Sequence, residues 1–205
     1  MMLPTRRLAI VAVAAVLASC SGGILGGGAP PPTLYTLQPV SEFPSNLPAV
    51  KAQLLIDLPS ASDSLNTRKI ALRRNQLNFD YFADANWTDS VPALVQSLLV
   101  ESFERTGKLT AVSRETLALR GDLLLRVELR HFEADYGNND PVPTVRIEIG
   151  LTLVRSTDRS IVGTHVSSAT AKPKENQTGA IVAAFDVAAR EAMRDTVVWT
   201  LGAGK

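Results

Sequence analysis

Residues able to do chemistry are few in this 205-residue chain: one cysteine, Cys20, and two histidines, His131 and His165. A lone thiol can act as a nucleophile, a metal ligand or an attachment point, but it cannot form a disulfide within the chain. The histidines stand apart, with no His-x-His or His-Glu-x-x-His spacing to build a metal centre, and each reads as a residue on a sheet surface. Glu133 and Asp135, two apart beside the Gly137 turn, could pair as acid and base or hold a divalent ion; a solvated strand end is the commoner outcome. Serines are plentiful, yet there is no Gly-x-Ser-x-Gly elbow, phosphate-cradling glycine loop or dinucleotide fingerprint. Gly26-Gly27-Gly28 falls in a glycine- and proline-rich stretch, not between a strand and a helix. No catalytic residue, metal ligand or cofactor site is assigned.

The setting of Cys20 decides what its thiol is for. Arg6 and Arg7 precede an uninterrupted apolar run from Leu8 to Leu17, too short to span a bilayer, which fits a removable export signal. Leu17-Ala18-Ser19-Cys20 resembles the bacterial lipobox, in which small residues precede the cut and the cysteine thiol carries the lipid. Cleavage is expected between Ser19 and Cys20, with acyl chains such as palmitate on Cys20. Ser21 stands where the inner-membrane retention signal of enteric bacteria has Asp, so the expected destination is the outer membrane, facing the periplasm. Each buried methylene contributes about 0.8 kcal/mol, so one chain holds a protein marginally and two or three hold it firmly.

Removing residues 1–19 leaves 186, enough for one domain with its own core, and takes the formal charge from +1 to about −1 with the loss of Arg6 and Arg7. The remaining basic residues are scattered, so nothing points to nucleic acid. Residues 20–32 read as the lipidated cysteine and a Gly/Pro-rich tether reaching roughly 40 Å when stretched. Residues 33–205 read as a single domain.

Within that domain, hydrophobic spacing separates strands from helices. Thr33–Leu37, Ala52–Leu58, Arg68–Arg73 and Leu77–Tyr81 are β-prone, the last two joined as a hairpin through Arg73–Gln76. Val91, Leu94, Val95, Leu98, Leu99 and Phe103 recur at steps of three and four, which predicts a helix capped by Asp89 or Ser90 and stopped at Gly107, with Gln96, Glu101, Glu104 and Arg105 turned away. A short strand over Leu109–Val112 and a helical turn over Ser113–Leu119 follow. Asp122–Phe132, Thr144–Val154 and Ile161–Ala171 alternate as three long strands, and an alanine-rich helix runs from about Thr178 to Leu201. Strands, helix, strands, helix predict an α+β two-layer sandwich: a mainly antiparallel sheet with both helices on one face.

Phe79, Tyr81, Phe82 and Trp87 form an aromatic cluster in a chain otherwise poor in rings. They can fill the space between sheet and helix, or they can present anchors to a partner, with Tyr81, Phe82 and Trp87 as the candidate partner-binding residues.

Downstream of the lipobox, Leu34-Tyr35-Thr36-Leu37, Leu65-Asn66-Thr67-Arg68-Lys69-Ile70-Ala71, Tyr81-Phe82-Ala83-Asp84-Ala85-Asn86-Trp87 and Pro92-Ala93-Leu94-Val95-Gln96 together resemble the ABC-type transport auxiliary lipoproteins, the PqiC-like proteins. The resemblance implies a non-catalytic outer-membrane accessory of an Mce-type system that moves lipids between the two membranes. Its partners would be a periplasmic Mce-domain protein with an inner-membrane permease and an ATPase; self-association of the domain into a homo-oligomer stays open. The glycine-proline tether is longer than the family leads one to expect. The alternatives are a structural lipoprotein supporting an envelope assembly through protein contacts alone, and a periplasmic hydrolase.

Mass spectrometry of the mature amino terminus is expected to find acylated Cys20 as the first residue. Cys20→Ala is expected to leave an uncleaved or released form; an unmodified amino terminus in the unaltered protein refutes the anchor.

Overall fold

The computed structural model describes residues 31–115, 121–137 and 140–205, and the chain divides into two units, Met1–Pro31 and Pro32–Lys205. Cys20, its lipobox and most of the tether lie outside the described residues, as do residues 116–119 of the helical turn expected over Ser113–Leu119, of which Ser113 and Arg114 are strand instead. The described portion of the second unit carries a mixed sheet of nine strands and two helices, an α+β fold. Its strands are β1 Thr33–Tyr35, β2 Val50–Ile56, β3 Ser60–Ala61, β4 Lys69–Asn75, β5 Asn78–Trp87, β6 Leu109–Arg114, β7 Leu123–Asp135, β8 Thr144–Arg155 and β9 Ile161–Ala171. The helices are α1 Val91–Thr106 and α2 Thr178–Ala203.

The three long strands form the expected meander. β7 pairs antiparallel with β8 from Leu123↔Arg155 to Asp135↔Thr144, and β8 pairs with β9 from Val145↔Ala171 to Val154↔Ile161. Their apolar alternation leaves Leu125, Val127, Leu129, Ile147, Ile149, Leu151 and Leu153 buried. The register slips by one residue between Leu129 and His131, a bulge at Arg130. Because side chains alternate with period two, one extra residue exchanges the two faces. Phe132 and Ala134 therefore turn into the core where an unbroken alternation would have pointed them outward. The Arg130 guanidinium lies across Gly150 of the paired strand, where a Cβ would stand 2.9 Å from its Nη2.

Elsewhere the sheet departs from the antiparallel expectation. The second edge of β7 is shared by three earlier segments, all parallel to it: β2 through Leu54↔Leu123, β3 through Ser60↔Glu128 and β4 through Leu72↔Ala134. β6 joins the far side of β2 in parallel, β5 joins β4 as the expected antiparallel hairpin, and β1 closes on β5 in parallel, Thr33↔Ala85 to Tyr35↔Trp87. Hydrophobic alternation reports which face of a strand is buried but is blind to the direction of its neighbour. The two-residue β3 is too short to leave a periodic trace.

α1 follows its spacing closely. Ser90 is extended at the N-cap position, proline lies in the first turn, and Gly107 adopts the left-handed conformation (φ 60°) that glycine takes without a Cβ penalty. The Ser90 side chain makes no capping bond. Val91, Leu94, Val95, Leu98, Leu99 and Phe103 are buried as the stripe requires. Gln96, expected to face solvent, is also buried: its Nε2 donates to the Ile56 carbonyl at 3.0 Å and satisfies an acceptor at the end of β2. α1 packs on β2 and β6, α2 packs on β8 and β9, and the helices touch each other. α2 buries Ile181, Ala184, Phe185, Ala188 and Ala192, and it runs through Gly202 to a C-cap at Gly204.

Leu98→Ala is expected to lower unfolding free energy by about 2 to 5 kcal/mol in chemical denaturation, the usual cost of truncating a core leucine. A change within about 0.5 kcal/mol would mean that the stripe does not serve the core.

Candidate functional site

The aromatic segment lies wholly within β5, and its rings take different roles. Trp87 has no exposed surface; its ring meets Phe185 of α2 at 5.3 Å and 80° and Phe132 of β7 at 6.0 Å and 76°, while Phe132 and Phe185 lie 5.5 Å apart. Edge-to-face packing of this kind adds about 0.5 to 1.5 kcal/mol per pair beyond area burial. Trp87 is therefore a core residue and is withdrawn from the candidate surface. Tyr81 is half-buried: its hydroxyl donates to the Ser64 carbonyl at 3.0 Å, its ring meets Phe79 edge-on at 5.7 Å, and Lys69 Nζ sits 5.1 Å over it. Phe82, half-buried, and the exposed Ala83 and Asp84 after it are the accessible part of the segment.

The groups that invited a catalytic reading are held by bonds within the fold. The Glu133 side chain is buried, accepting the Phe132 N–H at 2.7 Å, with His131 Nδ1 at 2.6 Å and Arg73 Nη2 at 3.6 Å. Asp135 Oδ1 accepts the Gly137 N–H at 2.8 Å and closes the turn. The two carboxylates thus serve separate local contacts. A buried carboxylate is tolerated only when paired and hydrogen-bonded, as Glu133 is.

His165 and Ser167 on β9 meet α2 through a single oxygen. Asp195 Oδ2 lies 2.8 Å from His165 Nε2 and accepts the Ser167 hydroxyl at 2.8 Å, while Thr196 Oγ1 donates to Ser167 Oγ at 3.1 Å. The imidazole stacks on Trp199 at 5.3 Å and 13°. Serine, histidine and aspartate are all present, but both partners bond to the carboxylate and Ser167 is buried, so no base faces a nucleophile as an acyl-transfer site requires. The cluster fastens α2 to the last strand. Local sequence gives no sign of it, since 28 and 30 residues separate the partners from Asp195.

Among the described residues, no group of three or more His, Cys, Asp or Glu side chains converges as a metal site needs, and no helix is long and apolar enough to cross a membrane. Asp80 at the β4–β5 hairpin is held below the ordinary carboxylate range, first by the Tyr81 N–H and then by Arg74.

Against known proteins, residues 35–196 match the family described as ABC-type transport auxiliary lipoprotein component. The chain belongs to this family. Protein XCC0632 of Xanthomonas campestris, of the DUF330 family, is 28% identical with a TM-score of 0.79, over 84% of this chain and 96% of that one. Protein CT253 of Chlamydia trachomatis shares the fold at TM-score 0.52 and 8% identity, over 75% of this chain and 98% of its own. Protein bll6063 of Bradyrhizobium diazoefficiens is 32% identical over 86% of this chain, and the chain spans 47% of that relative's length. The family assignment agrees with the resemblance carried by the Leu34, Leu65, Tyr81 and Pro92 segments.

Trp87→Ala is expected to cost about 3 to 5 kcal/mol by denaturant titration, whereas Phe82→Ala is expected to cost far less. Equal costs would return Phe82 to the core and remove it from the candidate surface.

Proposed function

We propose that this auxiliary lipoprotein is a non-catalytic accessory of an Mce-type transport system. It is anchored in the outer membrane by acyl chains on Cys20 after cleavage between Ser19 and Cys20, and it assists lipid movement between the membranes by binding the periplasmic Mce-domain protein. That protein works with an inner-membrane permease and an ATPase. The reading rests chiefly on the family match over residues 35–196. The lipobox supplies the anchor, Ser21 supplies the outward sorting, and residues 20–32 supply the tether of a single domain over 33–205. The chemistry of the described polar clusters supports a binding role: Glu133 and Asp195 are engaged in holding strands and α2 together.

Tyr81 and Phe82 are the first candidates for the partner surface, now with Ala83 and Asp84 and without Trp87. A half-buried ring beside exposed small residues supplies an anchor of limited ordering cost.

Photo-crosslinking in cells from Phe82 and from Arg126, an exposed residue of β7, tests the reading. Crosslinks to the Mce-domain protein are expected from Phe82. Crosslinks to that partner from Arg126 alone would move the surface to the sheet face, and crosslinks only to other envelope proteins would favour a structural assembly role.

A further inference from the structure

Leu77 sits at the apex of the β4–β5 hairpin with 98% of its surface exposed, the extreme among the large apolar residues described. The turn itself is well closed: Asn75 Oδ1 accepts the N–H groups of both Leu77 and Asn78, at 3.0 and 2.9 Å. The leucine is therefore presented by a defined backbone. Single exposed apolar residues are common on protein surfaces, so exposure alone carries nothing. What gives this one a direction is the register of β1. Because β1 runs parallel to β5, Thr33↔Ala85 to Tyr35↔Trp87, its amino-terminal end faces the same end of the sheet as Asn78 and the hairpin apex. From Ala85 back to Asn78 is seven residues of strand, about 23 Å. Residues 20–32 can span roughly 40 Å, so a chain fixed to a bilayer at Cys20 is long enough to let the apex reach that bilayer.

We propose that the β4–β5 hairpin is a second, orienting contact with the phospholipid surface that carries the anchor, with Leu77 inserted among the acyl chains. The proposal rests on the lipid-anchor reading of Cys20. Charge contributes little to it. Arg74 is paired with Asp80 at 3.3 Å, Arg73 Nη1 donates to the Gln76 carbonyl, and at the same end of the sheet the exposed lysines Lys172 and Lys174 are equalled in number by the exposed carboxylates Asp140 and Glu175. Insertion should accordingly proceed on zwitterionic and anionic bilayers alike. One leucine is too small an apolar surface to retain the protein, so the contact sets the tilt of the domain while the acyl chains hold it.

The test uses the full acylated chain in phosphatidylcholine vesicles with and without phosphatidylglycerol. An environment-sensitive dye is attached at Leu77→Cys or, as a control, at Arg126→Cys; acylated Cys20 does not react. The expected result is a blue shift and quenching by bilayer-borne quenchers at position 77 in both lipid mixtures, with position 126 unchanged. Vesicle-bound protein whose position 77 stays in water overturns the hairpin contact and leaves the anchor standing. Equal quenching at both positions overturns the orientation. Protein that does not associate with the vesicles overturns anchor and contact together. Insertion confined to vesicles with phosphatidylglycerol would overturn the apolar account.

Discussion

Continuous pairing along β7 is the constraint on which the fold depends. A central strand of thirteen residues exposes two rows of backbone donors and acceptors, and groups left unpaired in the interior are costly. β8 satisfies one row alone. The other is divided among β2, β3 and β4, so residues 50–75 must travel along β7 in its own direction, touching it three times. This route explains why β3 exists at all: two residues suffice to bridge the interval between the longer neighbours. It also sets the position of β5 and β1, which reach the sheet only through β4.

The bulge at Arg130 couples this spine to the core. By exchanging the faces of β7, it directs Phe132 inward against Trp87 and Phe185, so one aromatic cluster joins β5, β7 and α2. The same exchange places Glu133 on the opposite side, where His131 and Arg73 cover it. A one-residue irregularity thus sorts a ring from a carboxylate. It also gives Trp87, at the end of the aromatic segment, an inward-facing ring to pack against.

Much of the fold is legible in the sequence wherever one physical rule dominates. The α1 stripe, the Gly107 stop, the β4–β5 hairpin and the β7–β8–β9 meander all follow from period and turn chemistry. Local pattern is silent about long-range partners. The parallel pairings of β2, β4 and β1, the burial of Gln96 against Ile56 and the sharing of Asp195 by His165 and Ser167 depend on residues 28 or more positions away. At the candidate surface, the aromatic cluster was visible in the sequence as a group but could not be divided. The register shift in the β4–β5 pairing, where Lys69↔Asn86 is followed by Ala71↔Tyr81, falls between Phe82 and Trp87, and Phe132 supplies a ring for Trp87 to pack against.

The two ends of the domain meet. The Gln38 N–H donates to Asp186 of α2, Arg194 Nε donates to the Glu42 carbonyl, and Ser102 of α1 accepts the Val40 N–H. Contacts spanning about 150 positions close late, because a long loop must be ordered before they return any stabilisation. Until its last helix is available, a chain emerging from amino to carboxyl terminus lacks Phe185 against Phe132 and the helix that packs on β8 and β9. Completion of the core thus waits on residues 178–203, and a chain cut short before them lacks the layer that the last strands pack against.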